Sequence, residues 1–68
     1  MSTKQLVAVM DDEALIAAMV AIKDKEGAFR EHAQKAVTDS ARQYAQNLAE
    51  KLARAHDALM TAKEVRDA

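Results

Sequence analysis

Ala28 to Ala68 contains neither Gly nor Pro, and the whole chain has one Gly, no Pro and no Cys. Uninterrupted sequence of this kind permits long helices and offers almost none of the residues that build turns. Ala, Glu, Lys, Leu and Arg, which predominate, favour helix. The spacing therefore predicts an all-α fold. The expected form is an antiparallel helical hairpin with a long second helix, dimerising through coiled-coil-like packing.

The 68 residues form one domain at most, with a core of modest size. Disulfides and thiolate metal sites are excluded by the absence of Cys, which leaves oligomerisation as the route to added stability. A net charge of −1 exerts no global pull on nucleic acid or anionic lipid. Leu6 to Met10 is an apolar stretch stopped by Asp11 and Asp12, so no signal peptide is expected. The uncharged run Ala14–Ile22 is too short to span a bilayer. A cytoplasmic protein is the expectation.

Ser2 and Gln5 match a capping box, and Met1 and Leu6 occupy the positions of a hydrophobic staple. Helix 1 is accordingly expected over about 3–26. An alternative start lies at Asp11, with Met10 and Leu15 as its staple; residues 4–10 would then be an arm or a short strand. Ala14–Ile22 is apolar all round, which calls for two packing faces. Gly27 follows as the natural C′ residue and the expected turn.

Helix 2 is expected over about 28–66. Val37, Tyr44, Leu48, Leu52 and Leu59 fall in one apolar window at about 100° per residue. Ser40 and Gln43 form a second capping-box match, and a break near Thr38-Asp39-Ser40 would give three helices. With the turn at Gly27, helix 1 is about 36 Å long and helix 2 about 60 Å. The part of helix 2 beyond about residue 50 then lacks intrachain cover. Leu48, Leu52, Ala55, Leu59, Ala62 and Val65 are the residues expected to bury that stripe in a homodimer.

Catalytic equipment is not evident. His32 and His56 have no second ligand three or four residues away, so no metal or cofactor site is expected. Ser40 lies two turns from His32 without a third orienting group, and adjacent Asp11 and Asp12 diverge on a helix. An enzyme is not expected. Arg30, Lys35, Arg42, Lys51, Arg54, Lys63 and Arg66 scatter around helix 2 and make no basic stripe for nucleic acid. Helix 1 lacks the basic polar face of a membrane-surface helix.

Protein–protein recognition remains. Leu15, Met19 and Ile22 on helix 1, with Tyr44 and Met60 on helix 2, are the candidate contacts; methionine adapts well to partner surfaces. In size and class the chain resembles small phage- or plasmid-borne regulators that bind and inhibit host proteins. A purely structural oligomerisation component is a further expectation. Residues 4–27, KQLVAVMDDEALIAAMVAIKDKEG, also resemble the start of a ribbon-helix-helix repressor. That resemblance implies a short strand at 4–10, a helix starting at Asp11-Asp12-Glu13, a Gly before the second helix, and duplex DNA as ligand. The strand face Gln5, Val7, Val9 and the absence of a Ser or Thr cap after Gly27 depart from that pattern.

Overall fold

The computed structural model describes residues 2–68 and contains three helices and no strand among them. They are α1 (Thr3–Val9), α2 (Asp12–Lys35) and α3 (Asp39–Asp67). The chain is all-α, as its composition implies.

Each helix start is made by a side chain. The Ser2 hydroxyl accepts from the Gln5 N–H at 3.2 Å, and the Ser2 N–H donates to Gln5 Oε1 at 3.0 Å, completing the capping box. Met1, the other half of the expected staple, lies outside the described residues. The chain then leaves helical conformation at Met10 and Asp11, both extended. Asp11 accepts from the Ala14 N–H at 2.7 Å and opens α2. Both starts legible near the N-terminus are thus used in succession. What was expected as one helix over 3–26 is two, separated by Met10-Asp11.

Gly27 does not end a helix. It lies inside α2, and no residue among those described adopts a positive φ. A Gly in a helix interior costs roughly 0.5–1 kcal/mol relative to Ala, too little to stop a helix that packing holds. The break comes at Ala36-Val37-Thr38. Ala36 is extended at the end of α2, and Thr38 accepts from the Ala41 N–H at 3.1 Å to start α3. Val37, β-branched and of modest helix propensity, stands next to a good cap in Thr38, so stopping here leaves few backbone groups unsatisfied. The cap is Thr38, two residues before the Ser40 expected from the capping-box match. Helix 2 over 28–66 is replaced by the end of α2, the connection and α3.

This shift resets the register. Phe29 and Tyr44 share one groove, Met19 and Lys23 share another with His56, and Asp12 pairs with Arg66. α2 and α3 therefore lie side by side in opposite directions, with facing positions summing to about 75 instead of the ~54 that a turn at Gly27 requires. At about 1.5 Å per residue, α3 alone accounts for the longest dimension of the molecule, 44 Å out of 44 × 19 × 18 Å. α2 covers most of it, and α1 folds back onto the remainder. The stripe beyond residue 50 is covered within the chain, which removes the premise for a second chain there.

The helix–helix seam has a regular four-three spacing. On α2 it runs Leu15, Met19, Ile22, Glu26, Phe29 and Ala33; on α3 it runs Ala45, Ala49, Leu52, His56, Leu59, Lys63 and Arg66. All are buried or half-buried. This is the 3.5-residue repeat of coiled-coil packing. Val37 and Tyr44, expected within the apolar window of helix 2, are 96% and 68% exposed. The largest fully buried side chains are Leu15 and Val7. Replacement of Leu15 by Ala should cost about 2–4 kcal/mol, and Thr38→Ala about 1 kcal/mol. Urea denaturation followed by helical circular dichroism checks both.

Candidate protein-binding surface

The two ends of the α2–α3 pair differ in chemistry. At one end Arg66 holds three segments together. Its Nη1 donates to the backbone oxygens of Val7 (3.2 Å) and Met10 (2.9 Å), its Nη2 donates to the Asp12 carboxylate, and its Nε donates to Asp67 at 3.1 Å. The carbonyls at a helix end run short of donors: Val7 O accepts only from the Met10 N–H within the backbone, and Arg66 adds a second donor. A planar guanidinium supplies several donors in fixed geometry, which suits it to that gap. Sequence reasoning placed Arg66 among scattered surface cations. Its position at the end of the four-three spacing of α3 is the signal that could have found it.

Asp67 is held below its ordinary carboxylate value by a hydrogen bond from Lys63 and, next, one from Arg66. Arg66 is raised further, first by its hydrogen bond to Asp67. A lowered folded-state value means that the fold favours the carboxylate. The associated stability is complete above the ordinary value of 3.8 and is lost as pH falls through the lower folded value. Protection of the α1 amides against hydrogen exchange should accordingly weaken below about pH 4. Asp67→Asn should produce part of that loss at neutral pH, and Arg66→Gln should release α1 while the middle of α2 and α3 stays protected.

Midway along the seam sits Glu26, the only buried charged residue among those described. Arg30 Nε lies 3.3 Å from its carboxylate and Lys23 Nζ 3.9 Å; both cations are more than half exposed. The carboxylate thus gives up water for two solvated partners on its own helix, an arrangement with little net gain. Glu26→Met should raise stability by about 1 kcal/mol in the same urea titration, since the freed cations already reach solvent.

The opposite end, around the α2–α3 connection, is apolar and open. Phe29, Ala36, Val37, Ala41, Tyr44 and Ala45 form most of a groove of about 660 Å³, with His32, Lys35 and Thr38 at its margin. The Phe29 and His32 rings lie 6.4 Å apart between centroids, tilted by 49°. Ala at the seam positions here leaves the ring of Phe29 half-exposed and gives Tyr44 nothing to pack under.

The structure separates the candidate contacts. Leu15 is fully buried, so it is not available to a partner. Met19 and Ile22 are half-buried in the seam, Tyr44 lines the open groove, and Met60 is exposed on α3. Of the residues expected in a dimer interface, Leu48, Leu52, Leu59 and Ala62 are half-buried in this chain, whereas Ala55 and Val65 are exposed. Val37, Phe29 and Ile16 are contact candidates that sequence reasoning did not select. Their exposure depends on where α2 ends. His32 and His56 lie on different helices, and no group of three metal-ligating side chains occurs among the described residues. No helix among those residues is long and apolar enough to cross a membrane. No protein-family model, curated protein or solved structure matches the chain.

Proposed function

We propose that this chain is a small, non-enzymatic regulatory protein that acts by binding another protein, with the groove around Phe29, Val37 and Tyr44 as its contact site. The exposed apolar surface carries this reading. Large apolar side chains that face solvent outnumber those fully buried, and two of the three most exposed, Val37 and Tyr44, line one groove. Contiguous apolar surface on a small protein marks an interaction site. An aromatic anchor beside a pocket is the usual centre of such a site.

The kind of partner follows from α1. Tyr44 and Ala62 lie on one line of α3, about five turns apart. Beside Ala62, the residues Thr3 and Lys4 of α1 pack against α3, and α1 buries Val7. A short amphipathic helix thus occupies this flank at one end, and the Tyr44 end offers the same flank without one. A helix of the partner protein is the natural ligand. The ribbon-helix-helix reading needs a strand at 4–10, and Thr3–Val9 is helical, so DNA is not the ligand favoured.

Immobilised chain incubated with lysate of its own cells should retain a defined protein. Tyr44→Asp and Val37→Asp should each abolish retention without lowering the unfolding midpoint, because both side chains face solvent. Failure of the wild type to retain a protein, or retention indifferent to both substitutions, would overturn the assignment.

A further inference from the structure

Gly27 is the single glycine of the chain and sits in the interior of α2. An interior Gly weakens a helix relative to Ala, so its presence asks for a reason. Within the chain there is none. Its conformation is that of any helical residue, and a Cβ built there would meet nothing within 4 Å. The space beside it is open.

Ile16, Val20, Lys23 and Gly27 follow one another at four-three-four spacing and fall within about 60° on α2. The line they make lies roughly a third of a turn from the seam with α3. Ile16 and Val20 are 52% and 54% exposed. They border a shallow hollow with Met19, Lys23 and His56, and Met60 follows one turn beyond His56 on α3. The line thus has a bulky apolar end at Ile16 and an empty end at Gly27.

We propose that this line is a self-association surface whose occupant is a second copy of the chain. The two α2 helices pack antiparallel about a two-fold axis between Val20 and Lys23. Each Ile16 enters the gap left by the other copy's Gly27, and each Val20 lies against the stem of the other copy's Lys23. A two-fold interface must be complementary to itself. The axis superposes the bulky end of the line on its empty end, which meets that condition. The spacing is the one that seats side chains between those of a facing helix. The chain exposes 4996 Å², whereas about 4,200 Å² is usual for its 7.4 kDa. That excess belongs to the whole elongated molecule, 44 × 19 × 18 Å, and a second copy seated on α2 removes part of it. This surface is separate from the Tyr44 groove and does not depend on the function proposed for it.

Sedimentation equilibrium across a micromolar concentration series should show a monomer–dimer equilibrium. Gly27→Leu should raise the dissociation constant at least about tenfold by filling the gap, with helicity kept or increased because Leu favours helix over Gly. Ile16→Asp should do the same. A chain without Cys allows a geometric test. Along one helix positions 16 and 27 are about 16 Å apart, too far for an internal disulfide. The double variant Ile16→Cys, Gly27→Cys should therefore oxidise to a covalent dimer, and neither single variant should. A wild type that stays monomeric, a dimer insensitive to Gly27→Leu, or single variants that cross-link as well as the double one would each overturn the proposal.

Discussion

The seam between α2 and α3 is built from a 3.5-residue repeat whose side chains grade from small to large along its length. Near the connection it contains Ala33, Ala45 and Ala49, which are buried because little separates the two backbones. Farther along come Leu15, Leu52 and Leu59, and there α1 adds Val7. The pair is therefore thin at one end and thick at the other. That gradient decides where each surface lies. The thin end has no room to enclose Phe29 or to bury Tyr44, so Phe29 stays half-exposed and Tyr44 faces outward. The thick end has room for a third helix, and a cation is needed to close it.

Polar groups limit how firmly the pieces are joined. Glu26, His56, Lys63 and Arg66 all occupy seam positions. Such residues contribute less than apolar ones at the same sites, but they discriminate between registers, since sliding α3 by one turn would separate Arg66 from the carbonyls of α1 and from Asp12. Stability is accordingly uneven. The middle of α2 and α3 is held by apolar contact, whereas α1 is attached by one buried Val and one guanidinium. A small domain so assembled opens first at its weakest joint.

The helical class, the Ser2–Gln5 capping box and the cap at Asp11 were legible because each depends on residues within a few positions of one another. The register was not. Gly27 is the most evident breaker in the sequence, yet it remains helical because packing on both sides outweighs its small local cost. The true break, Val37-Thr38, combines a mild loss of propensity with a cap and stands out only once Thr38 is seen to start α3. The tertiary stripe was hidden by its own composition. A search for apolar residues finds Val37 and Tyr44, which face solvent, and passes over Ala45, Ala49, His56 and Lys63, which face α2. The candidate surface inherits this. Tyr44 was identified from its type, whereas Phe29 and Val37 matter only because α2 extends to Lys35.

The bonds from Arg66 to Val7 and Met10 span 59 and 56 positions of sequence. By contrast, α2 and α3 are joined by a three-residue connection and can pair as soon as both exist. α1 is made first and placed last. During synthesis it waits, its final carbonyls open to water, while the whole of α2 and nearly all of α3 are added. Once Ala62 is added, the flank of α3 beside it has no occupant until Arg66 follows and α1 docks. A newly made chain thus exposes, for a time, a flank of α3 that the finished chain covers with its own first helix.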